Sequence, residues 1–245
     1  MDRSEFEPRG EADEAHCSVC RLVAAPKPFH DMLPVSKGAA RPITGAGAVA
    51  KRALDVIVAS TALVLLLPLL AVMALAVYLE SPGPVLFRQR RTGLGGTIFE
   101  ILKLRSMYHH AADPGGRHQT SRHDARVTRV GRFIRASSID ELPQLLNVIR
   151  GDMSLVGPRP HALDTRVLGE RLDVLLPAYA QRHCVRPGLT GLAQVNGCRG
   201  ALDNLDKLQN RLRLDLEYIE TWSLWLDVKI LLLTAVTVFN DRNAY

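Results

Sequence analysis

A pair of adjacent carboxylates, Asp140 and Glu141, is the part of the sequence best suited to chemistry. The pair stands directly before a Leu-Pro step, and Pro143 favours the first turn of a helix while disfavouring helix at the residue before it. A helix is therefore predicted from Pro143 to Gly151, with both carboxylates at its N-terminal end, where the helix dipole favours negative charge. The structural alternative is a capping box, because Ser138 and Glu141 match the S-x-x-E pattern.

Basic side chains accompany the carboxylate pair along the sequence. Arg159 stands between two prolines, and such a stiff backbone suits the aiming of a guanidinium. The other candidate cations lie in short motifs before and after the pair: Lys103, Arg105, Arg135 and Arg186. Carboxylates among several cations predict phosphoryl transfer, because the cations offset phosphate charge while a carboxylate attacks phosphorus or holds Mg²⁺.

The composition also favours a partner that carries phosphate. The chain has 245 residues, 47% of them hydrophobic, which excludes a wholly disordered protein. Its 31 basic residues comprise 25 Arg and six Lys, and an Arg guanidinium binds phosphate through two parallel hydrogen bonds. Residues 81–135 alone hold eleven Lys or Arg and three acids. Four cysteines in so long a chain do not indicate a disulfide framework.

An uncharged segment of 24 residues, from Val56 to Leu79, predicts a membrane helix. At about 1.5 Å per residue such a helix would be roughly 36 Å long, enough to cross a bilayer core of about 30 Å. Pro68 in its middle bends a helix, and basic residues at both flanks favour the cytoplasmic side for both ends. We therefore expect a kinked, re-entrant helix that enters one leaflet and returns. An ordinary single-pass helix is the alternative.

Three segments are predicted along the chain. Residues 1–48 form a flexible tail, which is acidic at its start and does not match a cleavable signal peptide. Within the tail, Cys17-Ser-Val-Cys20 is half of a zinc site without a second half at ligand spacing. Residues 49–80 form the re-entrant helix. Residues 81–245 form a cytosolic catalytic domain with helices at the membrane surface.

The catalytic domain is expected to mix strands and helices. Val85–Phe87 and Thr97–Leu102 are short apolar runs bounded by turns, which predict two strands. Apolar residues recur every three or four positions from Leu202 to Ile219, which predicts an amphipathic helix. A further helix that starts near Trp222 is expected to lie at the membrane interface. The predicted fold class is mixed α/β, mainly helical, in a monotopic membrane protein.

Taken together, these motifs resemble those of the bacterial sugar transferase family, the monotopic polyprenyl-phosphate hexose-1-phosphate transferases, in their short form. The resemblance extends over residues 49–239. It rests on Lys51-Arg52-x-x-Asp55, Gly83-Pro84-Val85-Leu86-Phe87-x-Gln89-x-Arg91, Lys103-Leu-Arg105-Ser-Met107, Asp140-Glu141-Leu-Pro-Gln144, Asn147-Val148-x-x-Gly151-Asp-Met-Ser-Leu-Val-Gly-Pro-Arg-Pro160 and Pro187-Gly-x-Thr-Gly-x-x-Gln194.

The resemblance implies a two-step exchange at the cytoplasmic face of a bacterial inner membrane. A UDP-sugar would give its sugar 1-phosphate to an enzyme carboxylate and release UMP, and undecaprenyl phosphate would then accept the phosphosugar. This reaction would begin the synthesis of an exopolysaccharide or another glycoconjugate. The sugar is left open among galactose, glucose and N-acetylated sugars, and a homodimer is left open.

The resemblance also implies roles for the candidate residues. Asp140 would be the nucleophile, and Glu141 would assist with Mg²⁺ or proton handling, so that both carboxylates are candidate metal ligands. The five cations would bind phosphate or shape the site: Lys103, Arg105, Arg135, Arg159 and Arg186. Asp55 would interact with the basic residues near the start of the membrane helix.

Two other functions compete with the transferase. A membrane-anchored basic protein could bind anionic lipid or nucleic acid through residues 81–135, although no nucleic-acid-binding motif is present and we expect no nucleic acid partner. An aspartyl-phosphate hydrolase would use the same carboxylate pair, with water in place of the lipid acceptor. The salt dependence of nucleic-acid binding separates the binding protein from the transferase, and product analysis separates the hydrolase.

Overall fold

The computed structural model describes residues 41–240 apart from positions 114, 117–119, 122–123, 199 and 203. Most of the predicted tail, with Cys17 and Cys20, lies outside the described residues. The described α-helices are α1 (Gly45–Glu80), α2 (Arg129–Ala136), α3 (Leu145–Arg150), α4 (Leu172–Leu175), α5 (Leu192–Val195), α6 (Leu205–Glu220) and α7 (Leu224–Asn240). The described strands are β1 (Leu86–Thr92), β2 (Ile98–Leu104), β3 (Ser154–Val156), β4 (Arg166–Val167), β5 (Glu170–Arg171) and β6 (Gly188–Thr190). The prediction of a mainly helical fold is confirmed.

Helix α1 carries the predicted apolar segment. It has 36 residues, begins at Gly45, a turn before the predicted boundary at residue 49, and contains Pro68. By length and composition it could cross a membrane, and only 11% of its most apolar window is buried. Its buried residues are Lys51, Asp55 and Ala59 in the N-terminal half and Val77 near the C-terminal end, whereas large apolar side chains between them, such as Leu65 and Val72, are exposed.

The N-terminal part of α1 is fixed to the rest of the chain by polar contacts. Lys51 Nζ lies 2.7 Å from Asp227 Oδ2 and also donates to the carbonyl of Val156. Asp55, expected to interact with the neighbouring basic residues, instead accepts a hydrogen bond of 2.9 Å from the backbone N–H of Leu155. The first turns of α1 are therefore bound directly to strand β3.

The C-terminal end of α1 is held by Arg105. Its guanidinium donates to the carbonyls of Val77, Ser81 and Pro82 at 3.1, 2.5 and 3.0 Å. Gly83, at φ 120°, leaves room for this guanidinium, because a Cβ there would lie 2.4 Å from Arg105 Nη1. The donors of Arg105 are thus directed at the end of α1, whose last carbonyls have no intrahelical partner, and the binding of phosphate by Arg105 stays a prediction.

Two small sheets place residues near the carboxylate pair. The two predicted strands are present as β1 and β2, which pair as an antiparallel hairpin with Phe87 opposite Lys103 and Arg91 opposite Phe99. Strand β3 runs parallel to β6, with Val156 opposite Thr190. The hairpin therefore carries Lys103 near the end of β2, and β3 leads into the loop that carries Arg159.

The last two helices complete the main core. The predicted amphipathic helix is confirmed as α6, which buries Leu208, Leu212 and Ile219 along one face. Helix α7 starts just after Trp222, and its Trp225 is 73% exposed. The main apolar cluster joins α1, α3, β3, α6 and α7 through Ala59, Leu145, Val148, Leu155, Val156, Tyr218, Ile219 and Ile230. This packing fixes helix α3 relative to β3.

Candidate active site

The carboxylate pair lies in a 3₁₀ turn that leads directly into α3. The turn spans Ile139–Gln144, with Asp140 and Glu141 in its first part, and α3 then runs to Arg150 before Gly151 in a left-handed conformation. The predicted helix ending at Gly151 is thus present. The capping-box alternative is wrong, because Ser138 is itself left-handed (φ 57°) and its side chain accepts no capping hydrogen bond.

A cavity of about 500 Å³ opens beside the pair. Its lining includes both carboxylates and four of the five predicted cations: Lys103, Arg105, Arg135 and Arg159. Strand β2, helix α2 and the loop after β3 contribute Lys103, Arg135 and Arg159, so three separate elements converge on the carboxylates. A concave pocket in which a few polar groups converge is the usual form of a small-molecule site.

Glu141 orients two of these cations. Lys103 Nζ lies 2.7 Å from its Oε1, and Arg159 binds both of its oxygens, with Nη1 at 2.9 Å from Oε2. Burial alone would raise the pKa of Glu141, but Arg159 and Lys103 outweigh it and hold this pKa well below its usual range. Glu141 is therefore ionised, and both of its oxygens accept hydrogen bonds from these cations.

Asp140 has a different environment from its neighbour. Its side chain lines the cavity, the residue is 6% exposed, and no hydrogen bond from the described residues reaches its carboxylate. Burial raises the pKa of Asp140 to about 6, the nearby charge of Lys103 opposes this rise, and that of Glu141 adds to it. Two adjacent carboxylates with divergent pKa values indicate different chemical roles.

The loop after β3 holds Arg159 by close backbone packing. A Cβ at Gly157 would lie 2.5 Å from the carbonyl oxygen of Arg186, so only glycine fits there. The N–H of Gly157 donates to the carbonyl of Thr190, and Arg182 donates to the carbonyl of Arg159 at 2.5 Å. The backbone of Arg159 is thus fixed on both sides, which agrees with the stiff backbone predicted from its two prolines.

Two predicted site residues lie elsewhere. Arg186 is exposed, does not line the cavity and donates through Nε to the carbonyl of Gly151 at 3.0 Å, so the structure does not bring it to the carboxylates. Pro68 lies in the middle of α1, among its exposed apolar side chains. Arg105 touches the cavity, although its donors are directed at the end of α1.

Comparison with known proteins decides the family. A family model described as bacterial sugar transferase matches residues 46–241, which is most of the chain. The chain belongs to the bacterial sugar transferase family.

Curated relatives of this sugar transferase carry related names. A UDP-glucose:undecaprenyl-phosphate glucose-1-phosphate transferase of Caulobacter vibrioides is 55% identical over 195 residues, which are 80% of this chain and 72% of the relative. An undecaprenyl-phosphate glucose phosphotransferase of Komagataeibacter xylinus is 52% identical over 84% of this chain but only 38% of its own length. An Aeromonas hydrophila relative, 44% identical over 79% of this chain and 44% of its own length, is named a UDP-N-acetylgalactosamine-undecaprenyl-phosphate N-acetylgalactosaminephosphotransferase. The chain thus spans less than half the length of several curated relatives.

The cavity of this sugar transferase also contains residues that the sequence did not single out as a site. They are Arg91 on β1, His161 after the Arg159 loop and Arg211 on α6. A signal for Arg211 was present, because it stands three residues after Leu208 and so falls on the apolar face of the amphipathic helix. A charged residue on a buried helix face requires a hydrogen-bond or ion-pair partner, and the sequence does not identify the partner of Arg211.

Proposed function

We propose that this sugar transferase moves a sugar 1-phosphate from a UDP-sugar to undecaprenyl phosphate, with Asp140 as the nucleophile. The observation that carries the proposal is the Asp140 carboxylate, which lines the cavity next to Lys103 and Glu141 and accepts no hydrogen bond from the described residues. A carboxylate with only a structural role would be engaged by backbone or side-chain donors. The names of the relatives support the two substrates.

The proposed reaction has two balanced steps. First, a carboxylate oxygen of Asp140 bonds to the phosphorus that carries the sugar, and the bond from this phosphorus to the bridging oxygen breaks, so that UMP leaves. Next, a phosphate oxygen of undecaprenyl phosphate bonds to the same phosphorus, and the bond to Asp140 breaks to restore the carboxylate. Lys103 and Arg159, oriented by Glu141, offset the charge on the phosphoryl oxygens in both steps.

We also propose that Asp140 and Glu141 hold Mg²⁺. Within the described ranges, no group of three or more His, Cys, Asp or Glu could hold a metal by itself. One or two carboxylates completed by substrate phosphates are, however, the donor set that Mg²⁺ usually takes, and the Asp140 oxygens receive no hydrogen bond from the described residues. When bound, the ion would neutralise charge on the phosphates.

UMP release from the purified protein in detergent with Mg²⁺ tests the proposal. The donors are UDP-glucose, UDP-galactose, UDP-N-acetylglucosamine and UDP-N-acetylgalactosamine, each with and without undecaprenyl phosphate. We expect turnover that depends on the acceptor, and we expect it with UDP-glucose because several similar relatives are named for glucose. Equal multiple-turnover release without acceptor would indicate the hydrolase. No release together with salt-sensitive binding to anionic vesicles would indicate the binding protein.

The fall of kcat/KM at acidic pH should follow the protonation of Asp140. Because burial raises its pKa to about 6, the nucleophile of the free enzyme becomes protonated as the pH falls through that value, and kcat/KM should fall with it. Glu141→Gln removes a neighbouring negative charge, so the acidic limb of the residual activity should move to lower pH. The exposed Glu170→Gln is the matched control and should leave the limb in place. If the acidic limb of the pH profile does not move in Glu141→Gln, its assignment to the protonation of Asp140 is contradicted.

We further propose that α1 is re-entrant from the cytoplasmic face of the inner membrane. Its start binds β3 through Lys51 and Asp55, and its end binds Arg105, so both ends are held by the same polar catalytic domain. A helix that crossed the bilayer would place its ends on opposite sides, which two contacts with one domain do not allow. Pro68 between the two ends suits the required bend.

Cysteine labelling in spheroplasts tests this topology. In a chain whose four cysteines are replaced by serine, Ala46→Cys places an exposed thiol in the first turn of α1 and Arg90→Cys places one after its end. A membrane-impermeant maleimide should label neither site in intact spheroplasts and both after permeabilisation. Leu65→Cys, in the exposed apolar middle of α1, is the control and should stay protected in both. Labelling of one end in intact spheroplasts would establish a single pass.

A further inference from the structure

A second basic cluster lines the cavity that contains Asp140. This arginine–histidine cluster consists of Arg91, His161 and Arg211, which come from β1, the segment after the Arg159 loop and α6. Neither arginine has a carboxylate within ion-pair distance among the described residues. The nearby Arg182 differs, because its Nη2 lies 2.8 Å from Asp215 Oδ2.

Among the described residues, the acceptors that bind the two arginines of the cluster are all neutral. Arg91 donates to the side-chain oxygen of Gln89 and to the carbonyl of Pro160 at 2.5 and 2.8 Å. Arg211, which is 6% exposed, donates to the carbonyls of Cys198 and Gly200 at 2.6 and 3.2 Å. In the described part of the chain, the Nε atoms of both arginines are buried without a hydrogen-bond partner.

This arrangement leaves positive charge in the cavity. A buried guanidinium without a counter-ion is costly, because neutral carbonyls do not replace the solvation of the charge. Burial, and then the charge of Arg159, lower the pKa of both Arg91 and Arg211 to about 10. An anion in the cavity would relieve this cost, so the cluster is preorganised for a negatively charged ligand.

The hydrogen bonds of His161 point to the same ligand. Its Nδ1 lies 2.5 Å from the hydroxyl of Tyr179 and 2.8 Å from Nη1 of Arg182, so we assign Nδ1 as the acceptor. The ring proton is then on Nε2, which lies 3.2 Å from Nη1 of Arg211. Two donors that face one another cannot bond each other, but they can share one acceptor oxygen.

We propose that Arg91, Arg211 and the Nε2–H of His161 form a subsite for the nucleotide phosphate of the UDP-sugar, the group that leaves as UMP. The inference rests on the proposed function. A UDP-sugar carries two linked phosphates, and the one that reacts with Asp140 lies next to Lys103 and Arg159 in the proposed mechanism. Its other phosphate must bind in the same cavity, where the arginine–histidine cluster supplies two guanidinium groups that have no carboxylate partner among the described residues.

Direct binding of UMP tests the subsite without turnover. Titration of the purified full-length protein, in detergent with Mg²⁺, measures the affinity for UMP and for uridine, which lacks the phosphate. Arg91→Gln and Arg211→Gln should each weaken UMP binding by about 10- to 100-fold, because each removes a charged donor to phosphate, and should leave uridine binding unchanged. Arg88→Gln and Arg213→Gln, on the same strand and helix but outside the cavity, are the matched controls.

The outcomes separate the subsite from its alternatives. Unchanged UMP affinity in folded Arg91→Gln and Arg211→Gln would overturn the subsite. A rise confined to the KM for undecaprenyl phosphate would also overturn the subsite, because it would assign the cluster to the lipid phosphate. Equal losses for UMP and uridine would indicate a structural role and also overturn it. If the wild type binds UMP through the cluster but transfers no sugar phosphate, the proposed function fails and the subsite stands.

Discussion

Asp140→Asn is expected to abolish sugar-phosphate transfer while the protein keeps its fold and its membrane association. The amide has nearly the same shape as the carboxylate but cannot form the bond to phosphorus, so kcat should fall by at least about 10³-fold. The ion pairs of Glu141 with Lys103 and Arg159 do not involve Asp140 and should remain. Acceptor-dependent UMP release measures the loss, and sedimentation with membranes measures association.

The same variant makes a prediction about stability. The raised pKa of Asp140 means that its charge opposes folding once the pH exceeds both its unfolded and folded values, so the cost is fully present above about pH 6. Asn removes this charge, and the melting temperature at pH 8 should equal or exceed that of the wild type. The exposed Asp173→Asn, outside the cavity, should retain full turnover. Retained turnover in Asp140→Asn would remove Asp140 as the nucleophile.

The part of the candidate site that depends on neighbouring residues could be predicted from the sequence. Asp140 and Glu141 were predicted from a helix start set by Pro143, and such a start is a property of neighbouring residues. The structure brings this pair together with Lys103 and Arg159, whose catalytic roles remain predictions. The order and spacing of motifs are therefore informative where the constraint is local.

The partners of the arginines could not be predicted in the same way. Arg105 and Arg186 stand in similar basic motifs, yet Arg105 binds carbonyls at the end of α1 and Arg186 binds the carbonyl of Gly151. Five donors on a long side chain allow many partners, and tertiary packing selects among them. For the same reason the cluster around Arg211 was missed, because its members come from positions 91, 161 and 211.

The fold was predictable where periodicity was strong. The apolar segment and the amphipathic helix appear as α1 and α6, and the two predicted strands overlap β1 and β2. The sequence pattern is weakest for α7, because Asp227 and Lys229 interrupt its apolar stretch. The structure explains Asp227, which is 1% exposed and accepts hydrogen bonds from three side chains, whereas Lys229 is exposed.

Asp227→Leu is expected to cause the largest loss of stability among single changes away from the cavity. The carboxylate of Asp227 accepts from Lys51 Nζ at 2.7 Å, from the Tyr218 hydroxyl at 2.8 Å and from Trp222 Nε1 at 3.2 Å. Its loss leaves a buried ammonium without a counter-ion, which costs about 3–5 kcal/mol of unfolding free energy. A marked fall in the melting temperature, measured in detergent, is the expected result.

A double variant distinguishes a buried unpaired charge from simple misfit. Lys51→Met together with Asp227→Leu removes both charges, and most of the lost stability should return, because an apolar pair of similar volume replaces a buried ion pair at little cost. Lys229→Leu, on the exposed side of the same helix, should change stability little. If the double variant is no more stable than Asp227→Leu, the ion pair is not the cause. Because Lys51 also donates to the carbonyl of Val156, three residues before Arg159, the single variant should reduce UMP release as well as stability.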